Sequence, residues 1–155
     1  MYNHAPSDYK CPICLAVQGI ESEGTMMRQD DIVYRDDVVM AAISSKFFKN
    51  NPGHVIVFPM KHYENIFDLP EEEANSIMKV AKEITLAMKE IRQCDGVVLQ
   101  QNNEPAAGQH AFHYHMHVIP RFDGDDFFEH SMHAYVSDSD ERKPFSAALK
   151  EYFSS

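Results

Sequence analysis

Polar and apolar residues alternate along the segment 112–119, which is Phe-His-Tyr-His-Met-His-Val-Ile. Strict alternation over this length is typical of a strand with one buried and one polar face. Shorter apolar runs, bounded by Pro, Gly or Asp, predict further strands. These runs are 32–34, 38–41, 54–58 and 97–100.

After Pro70 the period of the apolar residues becomes that of a helix. One stripe of a long helix is predicted to contain Ile77, Met78, Ala81, Ile84, Met88 and Ile91. Asp68 and Glu71 predict a capping box at its start, and Gly96 a left-handed cap at its end. A short helix is expected over 144–153. The pattern indicates an α+β fold, an antiparallel sheet with one long helix packed on it.

The length of 155 residues suits a single domain, and no repeat divides the chain. We expect one domain over 1–155, with a loose N-terminal arm at 1–10 and a C-terminal extension at 121–155. No apolar run approaches the roughly 20 residues of a membrane span, and the N-terminus lacks a basic-then-apolar signal. A cytoplasmic protein without membrane contact is therefore expected.

The formal net charge is −10, from 14 basic and 24 acidic residues. This balance disfavours a nucleic-acid surface, which needs clustered Lys and Arg. A small phosphorylated ligand stays compatible with it, because backbone amides and a few donors can hold phosphate locally. The odd cysteine count, with Cys11, Cys14 and Cys94, argues against a disulfide framework.

The three histidines of the alternating segment would project from one face of the strand. Histidine readily exchanges protons or attacks electrophiles near neutral pH. A rise of about 3.3 Å per residue separates His113 from His117 by roughly 13 Å, too far for all three to share one metal ion easily. Divided roles are therefore expected. His115, with a histidine on each side, is the candidate reacting group, with one ring nitrogen free and the other hydrogen-bonded.

Cys11 and Cys14 form a Cys-x-x-Cys pair. Such a pair indicates a metal half-site, a redox pair or two unrelated thiols. A redox pair opens a helix after a strand, and the N-terminal position offers no such context. Further metal ligands would come from distant histidines, and the candidates are His54, His62, His113, His130 and His133.

The chain resembles the histidine-triad superfamily of nucleotide hydrolases and transferases. The alternating histidines match its signature, and three other stretches match in order over roughly residues 10–122. They are 51–62, similar to the first strand block of the family, 64–69, similar to the run into its helix, and 102–109, similar to the loop before the triad.

The resemblance implies a histidine-triad domain, usually a homodimer, that binds a small nucleotide and attacks its α-phosphate through a covalent nucleotidyl-histidine. His115 would then be the nucleophile, supported by His54 and His117. Asn102 and Gln109 would contact phosphate, with loop capping as the alternative role. His110 stands where the family often has Ser or Thr, and it either binds phosphate or faces solvent.

In zinc-containing branches of this superfamily, the metal is held by a Cys pair, by a histidine after the first long strand and by the first histidine of the triad. The corresponding residues are Cys11, Cys14, His62 and His113. The resemblance therefore implies a closed, structural Zn²⁺ site that leaves His115 free for chemistry.

The segment 44–49 is longer than the acidic turn that holds ribose in many members of the family, which leaves the ribose contact and the nucleoside preference open. Met60 stands where Lys is common, which removes one positive charge near the site. Dinucleoside polyphosphates, nucleoside phosphoramidates and adenylylated or sugar nucleotides all fit as substrates. Two alternative functions are a metallohydrolase that binds a catalytic metal with two histidines of the row, and a nucleotide-binding module without turnover.

Overall fold

The computed structural model describes residues 2–22, 24–131 and 133–155. Within these residues there are seven strands: β1 (Ile32–Arg35), β2 (Val39–Ile43), β3 (Lys46–Phe47), β4 (Val55–Pro59), β5 (Gly96–Gln101), β6 (Met116–Arg121) and β7 (Tyr135–Val136). The helices are α1 (Pro12–Val17), α2 (Glu71–Arg92), α3 (Phe127–His130) and α4 (Ser139–Ser154). Two 3₁₀ turns cover Gln29–Asp31 and Pro105–Ala107.

Five strands form one sheet in the order β1-β2-β4-β6-β5, and every neighbouring pair is antiparallel. The hairpin between β1 and β2 is closed by Asp36, whose carboxylate accepts from the backbone N–H groups of Val38 and Val39. Strands β3 and β7 form a separate two-stranded sheet. The predicted α+β class, with an antiparallel sheet and one long helix, is confirmed.

The sheet is covered on both faces because residues of its central strands are buried in two separate apolar clusters. Helix α2 packs on one face, where its buried residues meet alternate residues of β2 and β4, such as Ala41 and Val57. Helix α1 covers the other face, where it meets Ala42, Ile56 and Phe58. Burying one aliphatic side chain stabilises the fold by about 1.5–3 kcal/mol, so these two interfaces dominate its stability.

The predicted ends of the long helix are wrong. Pro70, at φ −62° and ψ 145°, is the N-cap, so Asp68 lies too early to cap the helix. At the other end Gln93 adopts the left-handed conformation, with φ 51°, and Gly96 begins β5. The predicted stripe is shifted as well, since Met78 and Ile91 are exposed while Val80 and Ala87 are buried.

The histidine strand is shorter than predicted, because β6 begins at Met116. Upstream of it, the backbone N–H of Tyr114 donates to the carbonyl of Tyr63 at 2.6 Å, outside the ladder of the sheet. His113 and His115 therefore precede the strand, and only His117 lies in it. The expectation of three imidazoles on one face of a strand is wrong.

The region after β6 contains more regular structure than the sequence predicted. Helix α4 spans 16 residues and includes Pro144, where a shorter helix was expected to begin. Strand β7 pairs with β3, which lies in the segment 44–49, where no strand was predicted. Helix α4 is joined to the start of the sheet by an ion pair between Arg142 and Asp31, both nearly inaccessible to solvent.

The N-terminal arm has no helix or strand over residues 2–10; Met1, also part of the expected loose arm, lies outside the described residues. The arm nonetheless makes specific contacts. Both carboxylate oxygens of Glu64 accept backbone N–H groups, those of His4 and Ala5. The Tyr9 hydroxyl accepts from the backbone N–H of Phe112, so the arm is tied to the segment just before His113.

No helix in the described part of the chain combines the length and apolar composition needed to cross a bilayer.

Candidate active site and metal centre

Four thiol and imidazole groups meet where α1 lies on the sheet. One donor atom from each of Cys11, Cys14, His62 and His113 lies within 4.8 Å of the other three. The Cys14 sulfur is 3.3 Å from His62 Nδ1 and 3.5 Å from His113 Nδ1, and the Cys11 sulfur is 3.4 Å from His113 Nδ1. The structure thus brings together all four residues that the sequence implied as metal ligands.

The spacing of these donors fits a tetrahedral zinc ion. Zn–S bonds of about 2.3 Å and Zn–N bonds of about 2.0–2.1 Å put sulfur and nitrogen about 3.5 Å apart at a tetrahedral angle. His113 Nε2 lies 3.0 Å from the carbonyl oxygen of Pro59. An N–H donated there leaves the Nδ1 lone pair facing the thiols, the arrangement typical of a metal-bound histidine.

The two thiols need a cation if both are to be ionised. Burial raises the pKa of the Cys14 thiol to about 12, and the adjacent Cys11 is a second, smaller cause of this shift. Burial lowers the pKa of His113 to about 4, which keeps its imidazole neutral as ligation requires. Cys11 also caps α1, since its sulfur accepts the backbone N–H of Cys14 at 3.3 Å. The Cys pair therefore opens a helix, a context that the sequence did not indicate.

Three further imidazoles form a second cluster beside the metal centre. His54 Nε2 lies 3.3 Å from His117 Nδ1. The ring of His117 has its centroid 5.0 Å from that of His115. His54 precedes β4 and His117 lies in β6, so the antiparallel pairing of these two strands brings them together.

His115 has one ring nitrogen engaged, because its Nδ1 lies 2.7 Å from the carbonyl oxygen of His113. Only an N–H can bond there, so the proton of the neutral ring is on Nδ1 and Nε2 carries a lone pair. Burial is the main cause that lowers the pKa of His115. It also lowers the pKa of His117 well below its ordinary value and that of His54 to about 3, so the cluster is neutral at pH 7.

The predicted phosphate contacts have other partners in the structure. Gln109 is buried; its Oε1 accepts the backbone N–H of Glu104 at 2.7 Å, and its Nε2 donates to the carbonyl of Glu64 at 2.5 Å. Asn102 Nδ2 donates to the carbonyl of Ala107 at 2.6 Å. These bonds are the loop-capping alternative, while His110 is exposed. Phosphate binding by all three residues stays a prediction.

Sequence reasoning missed the aromatic residues that enclose His54. Phe48 stacks on its imidazole, with centroids 4.9 Å apart and an interplanar angle of 26°. Phe127 and Phe48 form an edge-to-face pair, and the ring centroid of Phe47 lies 6.4 Å from that of His54. The only sequence signal for this enclosure was the unusual length of the segment 44–49. Nothing in the pattern of the sequence connected that segment to Phe127.

Residues 26–124 match the HIT domain family. An uncharacterised HIT-like protein from Methanocaldococcus jannaschii is 36% identical over 94 residues, which cover 61% of this chain and 70% of that protein. A bis(5'-adenosyl)-triphosphatase from Dictyostelium discoideum is 31% identical over 119 residues, 77% of each chain.

The fold is also similar to that of a solved protein that binds zinc. The crystal structure of a zinc-bound histidine triad family protein from Mycobacterium smegmatis aligns with a TM-score of 0.75 and 26% identity, covering 94% of each chain. Together with the Cys2His2 donor set, this likeness fits the zinc-containing branch. The chain therefore belongs to the HIT family of histidine-triad proteins.

Proposed function

We propose that this protein is a nucleotide hydrolase or nucleotidyl transferase in which His115 attacks an α-phosphate. The observation that carries this proposal is the bond from His115 Nδ1 to the carbonyl of His113, beside the pair formed by His117 and His54. A nucleophilic histidine needs one ring nitrogen with a free lone pair and a second ring nitrogen whose hydrogen bond fixes the tautomer. His115 satisfies both requirements.

In the first step, the Nε2 lone pair of His115 forms a bond to the α-phosphorus, and the bond from phosphorus to the leaving group breaks. His117 is adjacent, and the pair that it forms with His54 takes up one proton when the anionic phosphate binds. The Nε2 proton of His117 passes to the leaving group while the Nε2 proton of His54 passes to Nδ1 of His117, so both rings end neutral. The positive charge that develops on the His115 ring is stabilised by the His113 carbonyl, which accepts its Nδ1–H. The product is a nucleotidyl-histidine.

In the second step, a water molecule or another acceptor attacks the same phosphorus from the opposite side of the P–N bond. His117, now without its Nε2 proton, accepts the proton of the attacking hydroxyl as the P–N bond breaks. The nucleotide leaves and both rings return to their starting protonation. Water as acceptor makes the protein a hydrolase, and another nucleophile makes it a transferase.

Cys11, Cys14, His62 and His113 would hold the zinc ion as four protein ligands. Bound zinc would anchor the segment before β6 and would leave no open coordination position for a catalytic water. Because the His113 carbonyl also orients His115, its side chain and its backbone would link the metal centre to the nucleophile. We therefore propose a structural role for the metal.

Trapping of the covalent intermediate tests this proposal directly. Since the Dictyostelium relative is a bis(5'-adenosyl)-triphosphatase, diadenosine triphosphate is the first substrate to use, alongside a nucleoside phosphoramidate. Rapid acid-free quenching and intact-mass spectrometry should detect a nucleotidyl adduct on the wild type. The adduct should be absent in His115→Asn and present in the control His133→Asn, which changes an exposed histidine.

The alternatives make different predictions. A metallohydrolase would lose activity with chelators at unchanged stability and regain it with added metal. Within the described residues, the one cluster of three or more metal-binding donors contains His113 but neither His115 nor His117. A binding module would bind nucleotide calorimetrically without turnover, and that result for the wild type would refute the catalytic proposal.

We also propose that the protein forms a homodimer through β5. This strand ends the sheet, so one row of its backbone N–H and C=O groups has no strand partner among the described residues. Its Leu99 side chain is 43% exposed. Pairing of two β5 edges would satisfy these groups. Sedimentation velocity should give a dimer for the wild type and more monomer for Leu99→Lys, and a monomeric wild type would contradict the proposal.

A further inference from the structure

The C-terminal segment, residues 125–131 and 133–155, lies beyond the family match at 26–124. It packs against residues 44–54, the stretch that leads to His54. Strand β7 pairs with β3, and Ser137 donates both its backbone N–H and its hydroxyl to the carbonyl of Ser45, at 3.0 and 3.1 Å. The C-terminal segment therefore holds the stretch before His54 by backbone as well as by side-chain contacts.

Two phenylalanines of the C-terminal segment pack on this stretch. Phe127 and Phe48 meet in an edge-to-face arrangement, with ring centroids 5.2 Å apart and an interplanar angle of 81°. Phe145, in α4, meets Phe47 edge-on at 5.6 Å. It also fills the space above Gly53, since a Cβ built there would lie 2.4 Å from its ring. Aromatic contacts of this kind contribute beyond simple area burial.

The ring of Phe127 is itself held in place. Arg121 lies over it, with its guanidinium carbon 4.5 Å from the centroid. The same guanidinium donates twice to Asp125, through Nε and Nη2, both at 2.7 Å. Asp125 accepts in addition from the backbone N–H of Phe127 and from the side chain of Asn51. These bonds fix Phe127 relative to the segment before His54.

The stacked Phe48 face leaves His54 little freedom. The imidazole is 1% exposed, and its Nδ1 has no hydrogen-bond partner among the described residues. A buried N–H without an acceptor costs more than a bare lone pair, so the proton belongs on Nε2, where it is donated to His117 Nδ1. His117 must then carry its own proton on Nε2.

We propose that Phe48 is a positioning residue that holds the His54 ring, and through it the tautomer of His117 that can protonate a leaving group. Phe127 holds Phe48, and Phe145 holds Phe47 and Gly53, so the C-terminal segment positions groups of the active site. The proposal rests on the proposed function, because it assigns His117 the role of proton donor.

The test compares two substrates that differ in their need for a proton. The amine of a nucleoside phosphoramidate leaves only after protonation, whereas the nitrophenolate of a nitrophenyl nucleotide ester leaves as an anion. Since general acid catalysis contributes about 10²–10⁴-fold, Phe48→Leu should lower kcat for the phosphoramidate by at least about tenfold and that for the ester by less than about threefold. KM should change little for either substrate.

Phe153→Leu is the matched control, because it makes the same Phe-to-Leu change at a ring that contacts Tyr34, on β1, and not His54. It should leave the ratio of the two kcat values unchanged. Phe127→Leu, one contact further from His54, should shift the ratio in the same direction as Phe48→Leu and serves if the latter does not fold. Equal loss on both substrates, or no loss, would overturn the proposal.

A structural readout separates this proposal from the proposed function. Imidazole ¹⁵N NMR of the wild type should show the proton of His54 on Nε2 and that of His117 on Nε2. In Phe48→Leu both rings should show averaged tautomers. A wild type that turns over neither substrate would refute the proposed function, while the tautomers would still decide the role of Phe48. Unchanged tautomers of His54 and His117 in folded Phe48→Leu would refute the positioning role of Phe48.

Discussion

The buried ion pair between Arg142 and Asp31 ties the C-terminal helix to the sheet, and its removal has a calculable cost. Arg142 Nε donates to Asp31 Oδ1 at 2.9 Å, and both side chains are 3% exposed. The other guanidinium nitrogens donate to the carbonyls of Ser137 and Met26. Arg142→Met keeps the apolar stem and removes the charge and these three bonds.

In Arg142→Met the carboxylate of Asp31 stays buried with the backbone N–H of Arg28, at 2.8 Å, as a remaining partner. Breaking one side of a buried ion pair costs about 3–5 kcal/mol, because the other charge is left uncompensated. Adding Asp31→Asn removes that charge. The double variant should therefore be about 1–3 kcal/mol more stable than Arg142→Met alone.

Urea denaturation followed by circular dichroism measures these differences, provided that the slope of unfolding free energy against urea stays constant. A loss below about 1 kcal/mol for Arg142→Met would refute the reasoning, as would a double variant whose loss equals the sum of the two single losses. Since α4 carries Phe145, Arg142→Met should also lower the ratio of kcat for the phosphoramidate to kcat for the nitrophenyl ester.

Three other predictions follow from the structure. Metal analysis should find one zinc ion per wild-type chain and none in the double variant Cys11→Ala with Cys14→Ala. The double variant should be strongly destabilised, while its kcat at saturating substrate should fall less. A metal-free wild type would contradict the four-ligand site. The hydrogen bonds from Arg121 hold the pKa of the Asp125 carboxyl below the ordinary 3.8, so the stabilisation of the fold by this carboxylate is complete above about pH 4 and is lost in more acidic solution. The unfolding free energy should therefore fall less steeply with decreasing pH in Asp125→Asn than in the wild type. Equal slopes would contradict a stabilising role for the Asp125 carboxylate. Gly53→Ala should destabilise the fold by about 2–4 kcal/mol in thermal denaturation, because φ is +74° and a phenyl ring occupies the Cβ position; a loss under about 1 kcal/mol would mean that α4 yields easily.

The strand and helix predictions succeeded where a local periodic pattern decides the structure. The apolar runs at 32–34 and 54–58 form β1 and β4 within one or two residues, and the helical stripe forms α2. They failed at the ends of elements. Asp68 could not cap α2 because Pro70 adopts the N-cap conformation. His113 and His115 lie before β6, where the backbone N–H of Tyr114 donates to Tyr63 and not to a neighbouring strand of the five-stranded sheet.

By itself, the sequence determined the fold class and the set of chemical groups, because periodicity and residue type are local properties. It placed His115 at the centre of the chemistry and, through the family resemblance, assembled the four metal ligands. Only the tertiary structure decided what surrounds these groups. The burial of His54, its contact with His117 and the packing of Phe127 on Phe48 depend on segments that are 63 or more positions apart in the chain, as does the contact of Cys11 with His113, 102 positions apart. Such contacts arise from strand order and helix packing, which no short stretch of sequence encodes.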